Sequence, residues 1–162
     1  MRCERNFKKR YGKDSWVCVT GASDGIGKGF CEEFARRGFN IILMSRTKSK
    51  LEKLSAEIES KFNVKTRFIA VDFTNSMQAN FFEDIDNQIK DLDVSVLVNN
   101  VGLGTYSPFD IILKQELYYF ISMNCMPIVF LTRNIIPKML KRYNISLKIE
   151  ITDQRLSTCQ VY

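Results

Sequence analysis

The sequence predicts a doubly wound α/β fold built on a parallel sheet, and three observations predict it. Runs of continuous apolar residues alternate with segments whose apolar residues step by three and four. The first apolar run ends in a turn carrying Gly21, Gly25 and Gly27, and a helical pattern follows at once. Two further apolar runs end in polar segments, Ser45-Arg46 and Asn99-Asn100-Val101-Gly102. With right-handed crossovers, all three junctions fall at the carboxyl edge of the strands, where ligands bind such sheets.

Residues 15–20 read as the first strand, with Trp16, Val17, Cys18 and Val19 continuously apolar, as a strand covered on both faces needs. A helix is expected from Ile26 to Arg37, with Ile26, Phe30, Phe34 and Ala35 on one face and Gly38 ending it. Asn40 to Met44 is the second strand. After the loop Ser45-Arg46-Thr47-Lys48-Ser49, a second helix runs to about Phe62 on Leu51, Leu54, Ile58 and Phe62. Thr66 to Val71 is the third strand, ending at Asp72. Ser76 is expected to cap a third helix reaching about Asp91 through Phe81, Phe82, Ile85 and Ile89. Val94 to Val98 is the fourth strand. One helix is expected from about Phe109 and another from about Ser122 to Arg142. The last is apolar nearly all round, which predicts burial on both sides, in a large core or a subunit interface. Pro127 is tolerated there only near a helix start or a kink. The organisation is thus a basic segment 1–14, a nucleotide-binding domain 15–142 and an atypical tail 143–162.

Composition narrows the chemistry. The 162 residues are 45% hydrophobic and 26% charged, ordinary for a globular domain, with a net charge of +6. The basic residues are dispersed except at the N-terminus, so no nucleic-acid groove is indicated. There is no histidine, which removes His-dependent triads and His-ligated metals. Cys3, Cys18, Cys31, Cys125 and Cys159 form no C-x-x-C pair, and their odd count fits a reducing compartment. No metal site is expected. No run of about 18 apolar residues occurs, and Met1 to Arg10 lacks the apolar centre of a signal peptide. That basic segment reads as a frayed charged terminus or a juxtamembrane remnant.

The glycine turn is the strongest site signal. Gly21 takes a tight turn, Gly25 admits close backbone approach to a phosphate, and Gly27 lets the helix pack on the strand. Ser23, Asp24 and Ile26 share that turn and the start of the helix, whose free N–H groups face an anion. Cofactor choice rests on the end of the second strand. NAD-binding folds place an acid there, about 20 residues past the glycines. Here stand Ser45 and Arg46, with Lys50 one helical turn on. A guanidinium clamps a 2′-phosphate through charge-assisted bonds, so the pattern points to NADP(H). Arg46 is otherwise an ordinary loop charge. Asp72 accepts either from an adenine amino group or within its own turn. Asn99 and Asn100 supply bonds to neighbouring strands or to ribose, and Asn124 is most simply a helix cap.

Together these residues resemble the short-chain dehydrogenase/reductase superfamily. The resemblance rests on Thr20-Gly21-Ala22-Ser23-Asp24-Gly25-Ile26-Gly27, Asp72, Asn99-Asn100-Val101-Gly102, and Met123-Asn124 before the apolar helix ending Pro137-Lys138-Met139. Asp-Gly-Ile-Gly-Lys, Ser45-Arg46-x-x-x-Lys50-Leu51, Val71-Asp72-Phe73 and the valine of Asn-Asn-Val-Gly are similar to the 17β-hydroxysteroid dehydrogenase type 12/very-long-chain 3-oxoacyl-CoA reductase branch. The resemblance covers about residues 11–142. It implies a Rossmann fold and NADPH-dependent reduction of a ketone on a fatty acyl-CoA or steroid at the endoplasmic reticulum, or in the cytoplasm if the chain acts as it stands. It implies Asn124 as a catalytic residue. It implies a cofactor set of Gly21, Ser23, Asp24, Gly25, Ile26, Gly27, Ser45, Arg46, Lys50, Asp72, Asn99 and Val101.

The departures are specific. The superfamily works with Asn, Ser and a Tyr-x-x-x-Lys pair; the tyrosine protonates the carbonyl and the lysine lowers its pKa. Tyr11, Tyr106, Tyr118, Tyr119 and Tyr143 are followed four positions on by Ser15, Asp110, Ser122, Met123 and Leu147, and Tyr162 is last. Ser157 has no family motif around it. Leu147-Lys148-Ile149-Glu150-Ile151-Thr152 alternates apolar and polar residues, which suits an edge strand or sequence from another splice or frame. The expectation is a reductase truncated at both ends, with its cofactor half intact. Alternatively it is a non-catalytic NADP-binding fragment that pairs with itself or a full-length homologue through the helix at 122–142.

Overall fold

The computed structural model describes residues 7–12, 14–104, 107–142, 150–151 and 160–161. Its centre is a sheet in the order β3-β2-β1-β4-β5-β6. The strands are β1 (Trp16–Thr20), β2 (Asn40–Ser45), β3 (Thr66–Ala70), β4 (Val94–Asn99), β5 (Glu150–Ile151) and β6 (Gln160–Val161). The first four are parallel, and the chain reverses direction across the sheet between β1 and β4. Crossovers run through α2 (Gly25–Arg36), α3 (Lys48–Phe62) and α4 (Phe81–Ile89), followed by α5 (Lys114–Asn124) and α6 (Met126–Arg142). The short α1 (Phe7–Tyr11) precedes β1.

Alternation along the strands divides two cores. Val17, Val19, Ile41, Leu43, Val96 and Val98 point to one face, where they meet Cys31, Phe34, Leu51, Leu54 and Ile58 of α2 and α3. Cys18, Ile42, Met44 and Leu97 point to the other, against Phe82, Ile85, Leu131, Ile135 and Met139 of α4 and α6. Continuous apolar strands are therefore required, because each strand feeds both cores. Burial pushes the Cys18 thiol up to about 12 and the Cys31 thiol higher still, so both behave as small apolar side chains.

Several expectations are corrected. Ser76 does not cap α4; its buried hydroxyl donates to the Ser122 carbonyl at 2.8 Å. Asp72 instead starts a 3-10 turn, Phe73–Asn75, and α4 begins after Asn80, which takes the left-handed conformation at φ 62°. The helix expected from Phe109 is a single 3-10 turn, Phe109–Ile111, because Ile112 and Leu113 are extended. The helix expected from Ser122 breaks at Cys125: Pro127 has no N–H for the Met123 carbonyl. Asn124 therefore closes α5 rather than opening the next helix. The helix also continues through Pro137 to Arg142.

In the chain alone, α6 is buried on one face, not both. Leu131, Ile135 and Met139 form a stripe of period four inside the core, while Val129 is 58% exposed. Lys114–Lys141 is long and apolar enough, by length and composition only, to cross a membrane. Leu131, Ile135 and Met139 dock its α6 half on the sheet. The basic segment is not frayed at 7–11. Tyr11 is buried, Phe7 packs on the first core, and the Arg37 guanidinium lies 4.2 Å from the Phe7 ring centroid. Glu150 and Ile151 of the tail pair parallel with Val98 and Asn99, and β6 rather than β5 forms the edge. Leu147, Lys148, Ile149, Thr152, Ser157, Tyr106, Tyr143 and Tyr162 lie outside the described residues.

Candidate functional site

The site is built where β1 and β4 diverge, and Thr20 ties the two strands there. Its hydroxyl donates to the Val98 carbonyl at 3.3 Å and accepts the N–H groups of Asn100 at 2.9 Å and Val101 at 3.0 Å. The Asn100 amide returns the bond, donating to the Thr20 and Gly21 carbonyls at 3.0 and 3.3 Å. Every member of this clasp is buried or half-buried, so each lost bond carries the cost of a buried unpaired group. The Asn100 amide joins neighbouring strands as expected, and the residue with no assigned role in the sequence is Thr20. Its signal was available: a hydroxyl directly before the first glycine.

The glycines have distinct roles. Gly21 sits at φ 64° and Gly25 at φ 52°, the left-handed region that disfavours side chains. A Cβ on Gly27 would stand 2.2 Å from the Gly21 carbonyl oxygen and 2.5 Å from the Asn100 amide nitrogen. Close packing of α2 on the turn therefore requires glycine there. Above Gly25, by contrast, nothing lies within 4 Å of where a Cβ would project. The first turn of α2 faces that open space, and its leading amides have no intrahelical acceptors. This is the cradle an anion such as a pyrophosphate fits.

Asp24 caps α2, accepting from Gly25 N–H at 2.8 Å. Its other oxygen lies 3.4 Å from Lys50 Nζ. The Gly25 amide first, then Lys50, hold its carboxyl below the usual range. Ser23 and Ser45 share a hydroxyl hydrogen bond of 2.8 Å, joining the glycine turn to the end of β2. Arg46 follows, exposed and paired with no carboxylate among the described residues. Ile26 is 58% exposed at the head of α2.

The remaining positions divide. Asp72 uses one oxygen on the Thr74 N–H and hydroxyl, at 3.0 and 2.9 Å, as a turn aspartate does. The buried Asn99 amide donates to Thr132 of α6 at 3.3 Å, and the Asn100 amide joins β4 to β1. Val101 contributes its N–H to the clasp and its side chain to the second core. Asn124 clamps the loop after β4: its amide donates to the Leu103 and Phe120 carbonyls, both at 2.9 Å, and its oxygen accepts from Leu103 N–H at 3.1 Å. Beside that loop, a cleft of about 530 Å³ opens between Leu103, Phe109, Ile112, Leu117 and Phe120. It is mostly apolar, as pockets for apolar ligands are.

Comparison with known proteins agrees with this geometry. Very-long-chain 3-oxoacyl-CoA reductase of Aspergillus terreus is 42% identical over 133 residues, covering 80% of this chain and 37% of that protein. The Aspergillus oryzae protein of the same name is 44% identical over 133 residues, covering 80% and 38%. The chain thus spans under two fifths of the length of these relatives. Among solved structures, L-sorbose reductase from Gluconobacter frateurii in complex with NADPH and L-sorbose superposes with a TM-score of 0.74 at 25% identity, over 80% of this chain and 49% of that one. A short-chain dehydrogenase from Sphingobium yanoikuyae in complex with NADPH superposes with a TM-score of 0.72 at 25% identity, over 79% and 49%. Residues 15–146 match the short chain dehydrogenase family, and with the glycine cradle and the strand clasp in place, the chain belongs to that family.

Proposed function

We propose that this chain is the cofactor-binding portion of an NADPH-dependent short-chain reductase that acts on a keto group of a fatty acyl-CoA or a steroid. The observation that carries the reading is Arg46. A guanidinium with no described carboxylate partner stands at the end of β2, where an NAD-selective site would carry an acid. Arg46 holds a 2′-phosphate and Lys50 supports it. The first turn of α2, with Gly21, Ser23, Asp24, Gly25, Ile26 and Gly27 around it, receives the pyrophosphate. Ser45, Asp72, Asn99 and Val101 complete the edge, with the second Asp72 oxygen as acceptor for the adenine amino group. When bound, the cofactor supplies hydride. Asn124 orders the loop between cofactor and substrate through Leu103, and the apolar cleft beside it suits a lipid ketone. The names of the fungal relatives support the acyl-CoA choice. The site of action follows the resemblance, at the endoplasmic reticulum.

The Tyr-x-x-x-Lys pair with which the family delivers a proton to the ketone does not occur within these 162 residues. The chain alone therefore binds NADPH and does not turn it over. Loss of reduced-nicotinamide absorbance on mixing the purified chain, NADPH and a long-chain 3-oxoacyl-CoA would refute the second clause. A second reading, a fragment that pairs with a second copy or a full-length homologue, is favoured by the apolar surface of α5 and α6, where Ile121, Val129 and Leu140 are exposed. Co-purification with such a homologue supports that reading, and a monodisperse monomer by light scattering opposes it.

A further inference from the structure

Around the proposed phosphate site, the cations are unequally committed. Lys28 pairs with Glu32 at 3.8 Å and with Glu57 at 3.6 Å, and Lys48 pairs with Glu52 at 3.7 Å. Lys50 lies 3.4 Å from Asp24, and Arg46 has no carboxylate partner among the described residues. The odd member is Asp24. Capping α2 requires only a side-chain acceptor, and serine or asparagine caps as well as aspartate. A full negative charge beside an anion cradle opposes the ligand the cradle is shaped for. That charge faces Lys50, on the next crossover helix, and it bridges the opening between the glycine turn and the end of β2.

We infer that Asp24 tempers the preference for a 2′-phosphate, because it holds Lys50 as a counter-ion that the 2′-phosphate must draw away. The inference rests on the NADPH reading above. A cofactor with a bare ribose 2′-hydroxyl leaves the Asp24–Lys50 pair intact and offers Arg46 no anion to pair with. A 2′-phosphate engages Arg46 directly and takes Lys50 from the carboxylate. Arg46 thus contributes outright, and Lys50 contributes only what remains after its aspartate partner is lost. Both members of the pair are largely exposed, so the exchange is small in free energy and sensitive to salt.

The test uses the full chain and two nucleotides that differ by the 2′-phosphate, adenosine 2′,5′-bisphosphate and adenosine 5′-monophosphate, titrated calorimetrically. Asp24→Asn keeps the helix cap. It is expected to tighten the bisphosphate by about two- to fivefold, the scale of an exposed ion pair, and the monophosphate by less, so that the preference for the bisphosphate widens. Lys50→Gln, which removes the counter-ion and keeps the Asp24 cap, is expected to weaken the bisphosphate more than the monophosphate. Raising the salt concentration should narrow the gap between wild type and Asp24→Asn. If wild type prefers the bisphosphate but Asp24→Asn leaves or reduces that preference, the inference falls and the cofactor reading stands. If Lys50→Gln has no effect on the bisphosphate, the inference also falls. If wild type binds the two nucleotides equally or binds neither, the cofactor reading falls and takes the inference with it.

Discussion

On one face of the sheet, α2 and α3 bury Cys31, Phe34, Leu51, Leu54 and Ile58 against three strands. Their outer surfaces carry ion pairs such as Lys28 with Glu57. On the other face, α6 buries Leu131, Ile135 and Met139. There α5 and the turn before it leave Phe109, Ile111 and Leu113 in solvent, Phe109 at 78%. The first region is closed over its core and presents a polar edge at the glycine turn. The second is closed beneath and apolar above. The glycine turn, Arg46 and Lys50 thus lie on the closed side, whereas the other side exposes apolar side chains around the cleft.

The sharpest way to break that comparison is to cut into each core in turn. Leu43→Ala and Leu131→Ala remove fully buried side chains from opposite faces, and each should cost about 2–5 kcal/mol in chemical denaturation. Val129→Ser, on the exposed side of α6, should change stability by about 0.5 kcal/mol or less while reducing self-association. A large loss from Val129→Ser would show that α6 is covered on both sides after all.

Next in size are changes at the strand clasp. Thr20→Val keeps the shape but strips an acceptor from two backbone N–H groups, and should cost about 1–3 kcal/mol. Gly27→Ala forces a Cβ onto the Gly21 carbonyl oxygen. It should weaken dinucleotide binding by misplacing the head of α2, measured as a raised Kd beside any fall in Tm. Arg46→Gln should leave stability unchanged and weaken NADPH by roughly tenfold to a hundredfold relative to NADH, the range of a charge-assisted bond.

The smallest effect is acidic. Arg36 and Arg37 bond Glu33 and lower its pKa to about 2. Because the folded value lies below the unfolded one, the contribution is present above the ordinary glutamate range and is lost as pH falls towards 2. The partners are partly exposed, so the gain is a few tenths of a kcal/mol. Glu33→Gln should flatten only the acid limb of the stability profile, in denaturant midpoints taken between neutral pH and pH about 3.

What was legible in the sequence follows the same division. The strands of the first half are legible because strands feeding two cores must be apolar throughout, and Val17 to Val19 and Ile41 to Met44 are. Gly27 is legible because close backbone approach admits one residue type. The errors lie where local bonds compete with periodicity. Asp72 captures Thr74 and delays α4 to Phe81. Pro127 interrupts a continuous apolar pattern and moves Asn124 from one helix to the end of another. The docking of α1 was hidden because its basic composition masks Phe7 and Tyr11, which hold it down. Of the clasp, the Asn100 amide was legible as a strand-joining group, whereas the Thr20 hydroxyl was not, because it bonds backbone groups of a turn some eighty residues away.

The central claim is that the glycine cradle and Arg46 form a working NADPH site in a chain that carries no Tyr-x-x-x-Lys pair. Calorimetric titration of the purified chain with NADPH and with NADH tests it most directly. The account predicts saturable NADPH binding at one site per chain, with NADH weaker by at least roughly tenfold, the scale of one charge-assisted contact. Equal affinity for the two cofactors, or no NADPH binding by a chain that melts cooperatively, would contradict it.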